Sequence, residues 1–143
     1  MAFTFLRTVR IAAQPAVTIS KQYFKGAGVV WANNIFQAEF YSLEVPTTEE
    51  IEIAVHRLKK SLFDAPILAE LGDKAKISVS QFRTFLAANR ESLEWFIFYL
   101  SGRNGKRAVY AYWSVNCGGW RVGARSVTRP DEWRQGYRVV SQV

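Results

Sequence analysis

The eight residues Leu93-Glu94-Trp95-Phe96-Ile97-Phe98-Tyr99-Leu100 are the most apolar run in the chain, and they restrict its fold more than any other stretch. Aromatic and β-branched residues dominate the run, and Gly102 closes it at strand length, which predicts a β-strand. An almost unbroken apolar run further predicts burial on both faces and a central place in a sheet. Asn104-Gly105 fits the two positive-φ positions of a type I′ hairpin turn. The return strand then runs from Arg107 to Val115, with Val109, Ala111, Trp113 and Val115 on one face and Tyr110, Tyr112 and Ser114 on the other. Asn116-Cys117-Gly118-Gly119 supplies a second turn. Beyond it, Trp120, Val122 and Ala124 alternate with Arg121, Gly123 and Arg125. A loop containing Pro130 leads to a last strand near Tyr137 to Val143. Short strands at this spacing predict an antiparallel meander or a small, partly closed barrel.

The first third is also β-rich. Phe3, Phe5, Val9 and Ile11 alternate with Thr4, Leu6, Thr8 and Arg10. Val17 and Ile19 suggest a second short strand, and Val29 to Ala32 a third. Phe36, Ala38 and Phe40 alternate with Gln37, Glu39 and Tyr41, which predicts a strand continuing through Leu43 to Val45. Residues 1–38 carry no acid, a bias shared with transit peptides. They contain no continuous apolar core of a secretory signal, and the alternation favours a first strand of the fold.

The middle of the chain has helical signals. Thr47 and Glu50 have capping-box spacing, and Ile51, Ala54, Val55, Leu58 and Leu62 form a helical stripe, with Ile53 lying off it. Asp64 is placed to cap a second helix, Ala65 to Leu71, stopped by Gly72. Ser80 opens a third, whose Phe82, Phe85 and Leu86 face inward and which ends near Asn89. Strands, helices and strands in succession define an α+β class rather than alternating α/β. The expected organisation is one domain over residues 1–143. It comprises a β-rich segment at 1–46, a helical segment at 47–90 with two to three helices on one side of the sheet, and basic, aromatic antiparallel strands at 92–143.

Charge is distributed unevenly. Of the net +7, residues 101–143 hold +6, from eight Lys or Arg against Asp131 and Glu132. Arg121 and Arg125 share one strand face, and Tyr110 and Tyr112 share one on the neighbouring strand. Guanidinium and phenol groups mixed on a sheet can pair with phosphates and stack on bases. This points to a small, non-catalytic binding protein that contacts RNA or DNA through its C-terminal β surface. Arg103, Lys106, Arg107, Tyr110, Tyr112, Arg121, Arg125, Trp120 and Trp133 are the candidate contacts. Arginine stems also cover apolar surface with their heads in water, so a merely solvated face accounts for the same pattern.

Two other functions fit these residues. One is a structural or assembly subunit, as in a phage or a multiprotein complex, docking an acidic protein or a second copy of itself. Trp120 and Trp133 would be its anchors, since Trp, Tyr and Arg concentrate interface energy. The other is a histidine-independent ribonuclease using Arg103, Lys106, Arg107 and Tyr110. Other chemistry is poorly supplied. His56 and Cys117 are the sole histidine and cysteine, which leaves no zinc spacing and no internal disulfide. Gly26-Ala27-Gly28 lacks the third glycine of a dinucleotide loop. Gly102-Arg103-Asn104-Gly105 matches a backbone-clamping G-x-x-G, but that loop joins helices and both flanks here are strands. No cofactor is implied, no membrane-spanning run is present, and the lone cysteine suits the cytoplasm or another reducing intracellular compartment.

Overall fold

Residues 2–143 are described by a computed structural model. The apolar run forms β6 (Trp95–Gly102), the fourth of seven strands in a mixed sheet ordered β1-β5-β9-β6-β7-β8-β3. Here β1 is Phe3–Ile11, β3 Val29–Ala32, β5 Ile51–Leu58, β7 Gly105–Ser114, β8 Gly119–Ser126 and β9 Arg138–Gln142. A separate two-stranded sheet pairs β2 (Val17–Thr18) with β4 (Glu44–Val45). The pairs β3/β8 and β6/β9 are parallel and the others antiparallel. The fold is α+β. The large sheet is open, with β1 and β3 at its edges. The meander of the C-terminal segment is β6-β7-β8, whereas β9 turns back and inserts between β5 and β6. Through β9 the N-terminal strands join the C-terminal ones.

β6 is buried on both faces, as an unbroken apolar run requires. Phe96, Phe98 and Leu100 enter a core shared with α1 (Lys21–Lys25), α2 (Asn34–Phe40) and α4 (Val79–Ala88). Ile97 and Tyr99 enter the core on the opposite face, beneath α3 (Asp64–Leu71). The helices are therefore not all on one side: α3 and the 3-10 turn after it, Gly72–Ala75, pack on the second face. On the first face Trp120 is fully buried, and its indole Nε1 donates to the Leu86 carbonyl at 2.9 Å. In β1 the pairing skips Leu6, a one-residue bulge that sends Phe3 to the second core and Val9 and Ile11 toward the first.

Two segments adopt the opposite structure from that read in the sequence. The segment expected to form the first helix is strand β5. Ile51, Ala54, Val55 and Leu58 satisfy the helical stripe, while Ile51, Ile53 and Val55 alternate with a period of two. Their β-branching and a slot between β1 and β9 select the strand. Ile53, off the stripe in a helix, is fully buried in the strand. Conversely, the alternating residues 36–40 form helix α2. Asn33 caps it by accepting a hydrogen bond from the Phe36 amide at 2.9 Å. Phe36 and Phe40, one turn apart, bury together with ring centroids 4.9 Å apart. Two smaller differences follow from local bonding. At the β6-β7 turn only Gly105 has positive φ (108°), so the turn is not type I′. Asp64 begins α3, but Ser78, rather than Ser80, is the side-chain cap of α4.

The move from helix to strand also places His56 on the second face, against Phe3 and Phe5, with Nε2 3.2 Å from the Ser141 hydroxyl. Burial pushes its imidazole below the ordinary range; Glu70 opposes this and Lys74 adds to it. The unfolded chain therefore takes up this proton first, and stability falls as pH drops below about 6.5. Denaturant titrations at neutral and mildly acidic pH will show this loss, and His56→Gln will flatten it. Ile53→Ala is expected to cost about 2–5 kcal/mol in the same assay, the range for a truncated core side chain. A helical position off the apolar stripe would lose far less.

Candidate functional site

α3 packs over part of the second face, and side chains of β6, β7, β8 and β3 line a hollow of about 350 Å³ beside it. A row of planar groups crosses five adjacent strands there. Tyr137, just before β9, is followed by Trp95 on β6, Tyr112 on β7, Arg121 on β8 and Trp31 on β3. Strand register sets the row, because Trp95 pairs with Tyr112, Tyr112 with Arg121, and Arg121 with Trp31. The Trp95 ring is stacked on both sides, 4.1 Å from Tyr112 at 11° and 5.0 Å from Tyr137 at 7°. The Arg121 guanidinium lies 4.3 Å from the centre of the Trp31 ring, a cation–π contact. The next level of the sheet holds Tyr110, whose ring lies over Gly123, directly opposite on β8. A Cβ on Gly123 would come within 2.2 Å of that ring, so this strand position is reserved for glycine. Burial, with the neighbouring Tyr112 adding to it, raises the Tyr110 phenol above its ordinary pKa.

The inner wall is built on Asp64, a fully buried carboxylate at the start of α3. The Tyr99 hydroxyl donates to Oδ1 at 2.6 Å and the Trp133 indole N–H at 2.7 Å. Arg125 pairs with Oδ2 at 3.4 Å and also donates to the Asp131 carbonyl at 3.0 Å. Its guanidinium sits 3.7 Å from the centre of the Trp133 ring. Burial and the adjacent Asp64 carboxylate push the Tyr99 phenol far above its usual range, so it remains a proton donor. The Nε atoms of both Arg121 and Arg125 are buried without a hydrogen-bond partner in the structure.

The candidate residues read from the sequence divide into three groups. Tyr110, Tyr112, Arg121, Arg125 and Trp133 gather at the hollow. Arg103 and Arg107 are committed elsewhere, fastening the β6-β7 hairpin to α2. Arg103 donates to the Ala38 and Tyr41 carbonyls at 2.6 and 3.0 Å. Arg107 pairs at 2.6 Å with Glu39, which also accepts from Asn104 at 2.9 Å. Burial alone would raise Glu39, but the hydrogen bonds from Arg107 and Asn104 outweigh it and hold the carboxyl below the usual range. Lys106 is exposed on the hairpin. The third group is Trp120, sealed in the first core with no surface to offer a partner. Arg107 and Tyr110 lie on opposite faces of β7, so the set Arg103, Lys106, Arg107 and Tyr110 does not converge. Cys117 also stays apart from His56. It is exposed in the β7-β8 turn beside Ser114 and Arg121.

Sequence reasoning missed Trp31, Trp95, Tyr137 and Asp64 as parts of the site. Trp95 carried a signal, since it sits on the face of β6 opposite Phe96 and Phe98. The others come together only through pairing between distant strands. Among the described residues, no three His, Cys, Asp or Glu side chains gather as metal ligands, and no helix is long and apolar enough to cross a membrane. Comparison with protein-family models, curated proteins and solved structures finds no match to this chain.

The Asp64 cluster generates a direct test. Asp64→Ala leaves the Arg125 charge buried without its counterion, and the expected loss is about 3–5 kcal/mol of unfolding free energy. Adding Arg125→Met removes the stranded charge, and part of that loss should return in chemical denaturation.

Proposed function

We propose that the protein binds nucleic acid across the open half of its second sheet face, with Arg121 as the principal phosphate contact. The observation that carries this reading is the row Trp95-Tyr112-Arg121-Trp31, in which a guanidinium lies over one indole and is paired in register with a tyrosine stacked on another, all of them lining the hollow. Of the three arginines lining the hollow, Arg125 is paired with Asp64 and Arg129 with Asp131. Arg121 has no carboxylate partner among the described residues, so its charge is available to an anion. The net +6 of residues 101–143 adds a long-range attraction for a polyanion. The single, exposed thiol of Cys117 suits a reducing intracellular compartment.

A second reading is an assembly subunit that docks an acidic protein. Its support is a group of exposed apolar residues on and beside β3, namely Val30, Trp31 and Ile35.

Fluorescence anisotropy with single-stranded RNA, single-stranded DNA and duplex DNA separates the two. Nucleic-acid binding through phosphate contacts weakens steeply between roughly 50 and 200 mM salt. Arg121→Glu should weaken it about tenfold or more while lowering the melting temperature only slightly, since Arg121 makes a cation–π contact with Trp31 but no buried ion pair. Affinity indifferent to salt, or unaltered in Arg121→Glu, would sink the proposal and leave the protein-docking reading. Arg125 is unsuitable for this test because its replacement strands Asp64.

A further inference from the structure

The row of planar groups ends at an open edge. Three of its four steps are close, 5.0 Å from Tyr137 to Trp95, 4.1 Å from Trp95 to Tyr112, and 4.3 Å from the Arg121 guanidinium to Trp31, and Tyr112 and Arg121 are register partners. β3 is the last strand of the sheet, so no further strand supplies a sixth member. Trp31 is 40% exposed, has Arg121 against one face, and packs against no other ring among the described residues. Val30, its neighbour on β3, and Ile35, which lines the same hollow, are also exposed.

We infer that the sixth member is supplied by the ligand: one unpaired base of a single-stranded nucleic acid, stacked on the free face of Trp31. This rests on the nucleic-acid reading and narrows it to single strands. The faces of bases inside a duplex are already covered by their neighbours, and exposing one costs a few kcal/mol of unstacking. An unpaired base carries no such cost, and stacking on aromatic or guanidinium planes is the general mode of single-strand recognition. Arg121, one plane further in, is placed to take a phosphate flanking the stacked base. Every base has a π face, so the seat is tolerant of sequence.

The same indole could instead stack on its counterpart in a second copy. Charge opposes that arrangement, because it would bring together two copies of Arg121, which lies against Trp31 and has no carboxylate partner among the described residues, whereas a nucleic-acid strand complements it.

The test compares wild type, Trp31→Ala and Trp31→Phe by anisotropy, using a labelled eight-nucleotide poly-A RNA and a labelled DNA duplex. Thermal melts confirm that the variants fold, and sedimentation velocity reports their oligomeric state. Trp31→Ala should weaken the single strand about tenfold or more, with Trp31→Phe recovering most of the loss and duplex affinity changing little. Unchanged single-strand affinity in Trp31→Ala, or equal weakening of strand and duplex, overturns the stacked-base seat while nucleic-acid binding stands. A wild-type dimer that Trp31→Ala converts to monomers assigns the indole to a second copy and overturns it likewise. Failure of wild type to bind any nucleic acid removes both proposals together.

Discussion

A carboxylate with no access to water must be answered by donors and by positive charge, and the second face of this protein is arranged around meeting that requirement for Asp64. Its partners come from β6, β8 and the loop before β9, so one side chain fixes where α3 lands on the sheet and how the Pro130 loop folds back over it. A buried ion pair of this kind is a poor source of net stability, because desolvation offsets most of the Coulomb attraction. Its effect is positional. Arg125 cannot swing away, Trp133 cannot leave its guanidinium, and the inner wall of the hollow is fixed by the protein's own contacts.

Unequal coverage of the two sheet faces then decides where a surface is left to bind anything. Three helices seal the first face with phenylalanines, and two arginines on that side, Arg103 and Arg107, are consumed in tying α2 to the hairpin. On the second face one helix of eight residues cannot reach across seven strands. The strands beyond it therefore carry side chains that tolerate water at their edges while packing ring against ring. Glycine at 123 lets Tyr110 lie down on the sheet, which lowers the floor between Arg121 and Arg125.

What was legible in the sequence was local. The β6-β7-β8 meander, the faces of Tyr110, Tyr112, Arg121 and Arg125, and the inward Phe82, Phe85 and Leu86 all follow from short-range periodicity and turn residues. β5 and α2 were exchanged because their patterns satisfy both periods. For β5 the deciding factor is an open slot between two other strands, and for α2 it is the Asn33 cap beside a pair of phenylalanines one turn apart. The separation of Arg107 from Arg121 depends on Glu39, which lies 68 residues from Arg107. Trp31 and Asp64 entered the site through pairings between remote segments, which no window of adjacent residues contains. A run of charge and aromatics leads to the part of the chain that lines the hollow, but it does not distinguish arginines that face the hollow from arginines that staple a hairpin.

The position of β9 bears on how such a sheet can be assembled. β1 and β5 form one antiparallel pair, and β6, β7 and β8 form one meander, each from neighbouring or moderately separated parts of the chain. The two blocks have no hydrogen-bonded seam until β9 slides between β5 and β6. During synthesis that strand is made after both blocks, so each waits with a bare, apolar edge facing the other. The segment that joins them pairs with β5 across a long stretch of sequence, the kind of pairing that forms slowly and leaves a chain exposed to mispairing while it waits.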